Sequence, residues 1–288
     1  MWTLHECWSF TGGCFHFEYN GCEKWKNGCE KCKFLKSAGM VTNIDATRKL
    51  YKIKKKSFTG VKNMTIVTPS NWLTNLAKQS FLKEYNIVTI NNGINLDNFY
   101  PQDNHTFDDI VDRSKKILLG VAMPLSEKKG YNDFLKLRQL LDESYQIVLV
   151  GLSDQQIQSL PNGIVGIKRT DNQKQLAELY SIAYAFLNLT YEDNFPTVNI
   201  EALSCGAPVI CYKTGGATEM LSEDNAIVVE RGNYAKIVEM LKNIAPLRNN
   251  NAEWIDEVKK HYSSKRMALD YCNIYKEMMG KVERSNDD

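Results

Sequence analysis

From residue 116 onward, short apolar runs without polar alternation are separated by stretches of helical spacing. The runs are KILLGVA (116–122), QIVLVG (146–151), GIVGIK (163–168), AFLNLT (185–190), PVICY (208–212) and AIVVE (226–230). Runs of this kind mark strands covered on both faces, so the pattern predicts a parallel, doubly wound sheet. The intervening helices are expected near 131–141, 172–183 and 196–205, followed by helical segments at 233–244, 251–263 and 265–281 and a frayed charged tail, ERSNDD.

Before residue 113 the pattern changes. An apolar start, WTLHECW, leads into a cysteine-rich loop and then a basic helical stretch near 45–58. Strand-like MTIVTP (64–69), helical WLTNLAKQSFL (72–82) and strand-like IVTINNG (87–93) follow, too few strands for a complete doubly wound domain. The polar segment PQDNHTFDDIVDRSKK (101–116) reads as a linker. The division expected is therefore a partial domain over 1–112, a complete Rossmann-like domain over 113–265, and a terminal helix over 266–288 returning to the first domain.

Composition narrows the classes. With 288 residues, 43% hydrophobic and 24% charged, the chain can bury a sizeable core. A net charge of +2 gives no reason to expect a nucleic-acid partner. The cluster Lys52, Lys54, Lys55 and Lys56 is either a solvated helix face or a patch for phosphates and anionic lipid, which would permit peripheral contact with the inner membrane surface. No run approaches the roughly 18 to 20 apolar residues of a membrane-spanning helix, and the start lacks the order of a secretory signal, so a cytoplasmic location is expected.

The stretch YEDNFPTVNIEALSCGAPVI (191–210) carries the most chemistry. A strand ends at Thr190, an acidic loop follows, Pro196 opens a helix, and Gly206 and Pro208 close it. A helix mouth at the carboxyl end of a parallel strand offers unpaired N–H groups to an anion such as a diphosphate. Asp193 and Glu201 then stand before and inside that mouth, placed to accept hydrogen bonds from sugar hydroxyls.

This segment resembles the E-x7-E element of the family 4 retaining glycosyltransferases. The resemblance implies a GT-B α/β fold of two Rossmann-like domains facing a cleft, the N-terminal one incomplete here. It assigns Asp193 to the donor sugar, the loop Asn194, Phe195, Pro196 and Thr197 to sugar and phosphate, and Glu201 to the ribose. The first acid is Asp where the family has Glu, and Glu192 is a competitor shifted by one residue. In GVAMPLSEKKGYNDF (120–134), Lys129 resembles the family lysine that neutralises the departing nucleoside diphosphate. The usual upstream arginine is replaced by the Met123-Pro124-Leu125 region, leaving Lys128 either as a substitute or as an ordinary surface lysine. TGGATEM (214–220) resembles the family's TGG-x-x-E loop, with Gly215 and Gly216 allowing close backbone approach to a ligand.

WTLHECWSFTGGC, TPSNWL (68–73) and NNGINLDNF (91–99) resemble a capsular and exopolysaccharide branch of the same family. The resemblance makes His5 the residue near the transferred sugar. It also sets Met1 inside a strand that several others normally precede, so impaired turnover by these 288 residues is an expectation. The activity implied is sugar transfer from a nucleoside diphosphate donor to a saccharide or lipid-linked saccharide acceptor, with retention. No cofactor is expected for catalysis, in keeping with a chain that has no D-x-D pair. A catalytically impaired sugar-nucleotide-binding remnant, a cysteine-loop interaction module and a sugar-nucleotide epimerase remain as other readings. Cys14, Cys22, Cys29 and Cys32 form C-x7-C-x6-C-x2-C, read as buried reduced thiols or as ligands of a structural zinc.

Overall fold

A computed structural model describes residues 1–35, 44–245, 247 and 251–286. The chain forms two compact units. The first comprises Met1–Asn92, Glu192–Phe195 and Lys265–Asp288, and the second Gly93–Tyr191 and Pro196–Ser264.

The smaller unit holds a three-stranded parallel sheet of β1 (Trp2–Thr3), β2 (Thr65–Thr68) and β3 (Asn86–Thr89), in that order, with Trp2 opposite Ile66 and Thr65 opposite Asn86. All four residues of β2 are buried, as a central parallel strand requires. Helix α1 (Thr47–Phe58) and α2 (Asn71–Ala77) accompany the sheet, over a core that includes Leu4, Phe10, Trp25, Ile66, Leu73 and Leu82.

Two expectations here need correction. Helix α2 stops at Ala77 instead of Leu82, because the Ser80 hydroxyl donates to the Ala77 carbonyl at 2.7 Å and accepts from Leu82 N at 3.1 Å, competing with the helical ladder. Lys54 is not part of a solvated basic face. It lies on the buried stripe Thr47-Tyr51-Lys54, 4% exposed, and its Nζ donates to Trp8 O at 2.7 Å and Thr11 O at 3.1 Å while standing over the Trp8 ring. Burial pulls its pKa down to about 8.

The larger unit alternates β4 (Lys116–Val121), α3 (Tyr131–Arg138), β5 (Tyr145–Val150), α4 (Asp154–Gln158), β6 (Ile164–Ile167), α5 (Gln173–Ile182) and β7 (Ala185–Asn188). It continues with α6 (Thr197–Ser204), β8 (Val209–Tyr212), β9 (Ala226–Val229), α7 (Tyr234–Leu241) and α8 (Asn251–Tyr262). Its six strands are parallel in the order β6-β5-β4-β7-β8-β9, which reverses between β4 and β7. A reversal of this kind opens a crevice at the carboxyl ends of the two central strands. Gly120 sits where any Cβ would collide with the Phe134 ring, so α3 packs directly against β4.

The division falls at Asn92 and Gly93, earlier than the boundary expected at residue 112. Residues beyond 93 are held by α5: Gln102 N donates to Ser181 Oγ at 3.0 Å, Thr106 N to Glu178 Oε1 at 2.9 Å, and Arg113 pairs with the same buried carboxylate at 3.2 Å. The last helix, α9 (Ser264–Asn286), extends past the expected end at 281, and Asp287 and Asp288 of the expected frayed tail lie outside the described residues. Within the smaller unit its Tyr271 hydroxyl meets Thr3 Oγ1 at 3.2 Å. No described helix is long and apolar enough to cross a membrane.

Candidate active site

Two crossovers frame the crevice of the larger unit. After β4 the chain makes a tight helical turn, Glu127–Lys129, which half-buries Lys128 and Lys129. It then reverses at Gly130, whose φ of 86° and whose Cβ position, 2.5 Å from Leu189 O, exclude any other residue. The Lys128 carbonyl accepts from Tyr191 N at 2.8 Å, so the lysine turn is fastened to the chain leaving β7. In the region where the family resemblance called for an arginine, Met123 is exposed and Leu125 is core, its amide donating to Gly151 O at 2.9 Å. Lys128 and Lys129 are thus the cations of this turn.

After β7 the chain reaches Pro196, which precedes α6 without any side-chain cap. The first N–H groups of α6 are therefore not capped by a side chain of the preceding residue, and their partial positive charge suits an anion. One turn in, the Glu201 carboxylate accepts from the fully buried Tyr180 hydroxyl at 3.1 Å and also bonds the Thr197 side chain. Burial raises its pKa above the ordinary carboxylate value, against the lowering effect of those two bonds. Burial also drives the Tyr180 phenol well above its usual range, so it remains a neutral donor.

Buried polar bonds hold this helix in place. Asn199, fully buried, accepts from Asn188 Nδ2 at 2.8 Å and donates to Ala217 O at 2.9 Å, tying β7, α6 and the glycine loop together. In that loop Gly215 has a φ of 50° and Gly216 is buried. Thr214 Oγ1 donates to Thr190 O at 3.1 Å and receives Arg231 Nε at 3.0 Å.

The remaining expected residues belong to the smaller unit. His5 is exposed rather than a core histidine, and its carbonyl accepts from Asn194 Nδ2 at 2.9 Å. Asn194 Oδ1 in turn receives the Ser70 hydroxyl, whose oxygen caps α2 at Leu73 N. Of the adjacent acids, Glu192 is 7% exposed and takes the Tyr19 amide at 3.2 Å, whereas the half-buried Asp193 folds onto the amide of Asn194 at 2.9 Å. Phe195 is buried, its carbonyl receiving Asn92 Nδ2 at 3.4 Å. Cys14, Cys22, Cys29 and Cys32 are half-buried free thiols.

The sequence reading missed Tyr180, Asn199 and Arg231. Tyr180 and Asn199 fall inside expected helices, but their type and spacing carry no mark of a role. Replacing Tyr180 with Phe removes one bond to Glu201 while keeping the ring's packing. The expected result is a roughly 2- to 10-fold loss of nucleotide affinity, from about 0.5–1.5 kcal/mol for one hydrogen bond, with unchanged far-UV circular dichroism. Calorimetric titration against the wild type checks it, and equal affinities would show that Tyr180 does not position the carboxylate.

A doubly wound parallel sheet with a lysine turn after one central strand and a helix without a side-chain cap after the other defines a Rossmann-like domain. The chain belongs to the glycosyl transferases group 1, whose profile matches residues 103–261, more than half of its length. It is 27% identical over 96% of its length to WcaC of Escherichia coli K12, provisionally assigned as a colanic acid biosynthesis glycosyl transferase, and covers 68% of that protein. A second relative, a sucrose-phosphate synthase assigned with reservation in Thermosipho melanesiensis, is 25% identical over 65% of this chain and 47% of its own. Among solved structures, the fold is shared with a sucrose-phosphate synthase of Thermosynechococcus elongatus at a TM-score of 0.71 and 20% identity, covering 85% of this chain and 65% of that one. It is also shared with Anabaena HepE in complex with UDP at a TM-score of 0.66 and 14% identity, covering 80% of this chain and 68% of that one. The chain thus spans from about half to about two thirds of these relatives' lengths.

Proposed function

We propose that this glycosyltransferase moves a sugar from a nucleoside diphosphate donor to a saccharide or lipid-linked saccharide, with retention at the anomeric carbon. The observation that carries the reading is the Glu201 carboxylate, held by Tyr180 and Thr197 within one turn of the open mouth of α6. A carboxylate there accepts the ribose hydroxyls while the helix N–H groups take the diphosphate. As the bond from the anomeric carbon to the phosphate oxygen breaks, negative charge gathers on the diphosphate, and Lys129, with Lys128, offsets it. The acceptor oxygen forms the new bond, and its proton passes to the departing phosphate. Pro196 and Thr197 border the sugar and Gly215 and Gly216 admit the phosphates, while roles for His5, Asp193, Asn194 and Phe195 rest on the family resemblance alone.

HepE, a structural neighbour, was solved with UDP and with UDP-glucose, which supports a nucleotide-sugar donor for this chain too. Retention and a lipid-linked acceptor rest on the family resemblance. The test is acceptor-dependent release of nucleoside diphosphate, assayed with UDP-, GDP- and ADP-sugars and with polyisoprenoid-linked or free saccharides. Tight nucleotide binding with no release under any pairing would mark a binding remnant and overturn the proposal.

A further inference from the structure

Between β1 and α1 the described chain has no regular element beyond two single helical turns, Trp8–Phe10 and Lys24–Lys26. A segment this long with so few backbone ladders needs another source of order. Four of its five cysteines supply a common feature. Cys14, Cys22, Cys29 and Cys32 all line one cavity of about 300 Å³, whereas Cys7 is fully buried in the core. Cys14 lies within electrostatic reach of the other three.

Backbone amides point at two of the sulfurs. Gly12 N donates to Cys29 Sγ at 3.1 Å and Phe34 N to Cys32 Sγ at 3.4 Å. The turn joining these two cysteines contains Lys31 at a φ of 46°, and it is braced on both sides. Lys24 Nζ binds Glu30 O at 3.0 Å and Lys31 O at 2.9 Å, and Asp45 receives Cys32 N at 2.7 Å. A Cβ on Gly12 would stand 2.6 Å from Cys29 Cβ, so glycine is what lets the two strands of the loop close. Lys24 and Lys33 line the cavity together with Glu23 and Glu30.

We propose that Cys14, Cys22, Cys29 and Cys32 bind one divalent zinc ion as a structural tetrathiolate site that fastens the loop over the core of the smaller unit. Four thiols release their protons to solvent and four Zn–S bonds form, with no change of oxidation state. Among the described residues no three Cys, His, Asp or Glu side chains are yet drawn together closely enough to hold a metal, so binding turns the thiols into the cavity they line. None of the four cysteines is a residue assigned to the donor, and metal content is read independently of transfer, so failure of this proposal and failure of the proposed reaction are distinguishable.

The test uses the whole reduced chain. Elemental analysis after incubation with zinc and desalting should give one zinc per chain. Replacement by cobalt(II) should give intense thiolate-to-metal charge transfer and tetrahedral d–d bands. Cys14→Ser, Cys22→Ser and Cys32→Ser should each lower retained zinc several-fold, while Cys272→Ser, an exposed thiol elsewhere, should retain it. If a variant fails to fold, the wild-type cobalt spectrum still decides. Substoichiometric zinc, or a cobalt spectrum without strong thiolate bands, would overturn the proposal.

Discussion

Replacing Glu201 with Ala is expected to weaken nucleoside diphosphate binding by about 10- to 100-fold, since hydrogen bonds to a charged group contribute about 1.5–3 kcal/mol. Isothermal titration of UDP, GDP and ADP against wild type and variant measures it. The acid limb adds a second signature. Burial raises the Glu201 pKa, and ribose hydroxyls favour the ionised form. Affinity should therefore fall as pH drops through that raised value, and Glu201→Gln should flatten this limb. For the unliganded protein the sign is opposite. A carboxyl that holds its proton more tightly when folded contributes stability below its ordinary pKa of 4.5, and loses it as pH rises to the folded value. Nucleotide affinity indifferent to Glu201→Ala would remove the observation on which the functional proposal stands.

Lys129→Ala should act on turnover more than on binding, because the charge it meets grows as the leaving group departs. Loss of one preformed electrostatic contact of this kind costs about 100- to 1000-fold in kcat. Lys129→Arg should recover part of that loss, since arginine keeps the charge but not the reach. Steady-state rates at saturating donor, with nucleotide affinity measured in parallel, separate the two effects. A kcat within a few-fold of wild type would place the neutralising charge elsewhere, with Lys128 and Arg231 the next positions to examine.

The six strands of the larger sheet were legible because each is an unbroken apolar run flanked by helical spacing, which few other arrangements produce. Helix α4 escaped notice at five residues, too short for periodicity, although its capping box was readable as Ser153 followed three residues later by Gln156. Lys54 was misread for a different reason. Its position shares the helical stripe of Thr47 and Tyr51, but its residue type argues for solvent, and only the carbonyls of Trp8 and Thr11 explain its burial. The attachment of residues 93–115 to the larger unit depends on Glu178, a carboxylate distant in sequence that no local pattern singles out. Within the candidate site, motif spacing is what points to the lysine turn and Glu201. The bonds that orient them, from Tyr180 and Asn199, come from tertiary packing that spacing does not encode.

The smaller unit is assembled from three stretches of chain separated by most of the sequence, Met1–Asn92, Glu192–Phe195 and Lys265–Asp288, whereas the larger unit is nearly continuous. On a ribosome, synthesis runs from the amino end at about 5–20 residues per second. Met1–Asn92 must wait for Lys265–Asp288, while the six-stranded unit, finished by Ser264, is free to fold in the interval. Through that delay Thr3, on the edge strand of the smaller sheet, lacks its Tyr271 partner. Chaperone dependence during production should therefore concentrate in Met1–Asn92, even though the proposed donor-binding residues lie mainly in the unit that folds ahead of it.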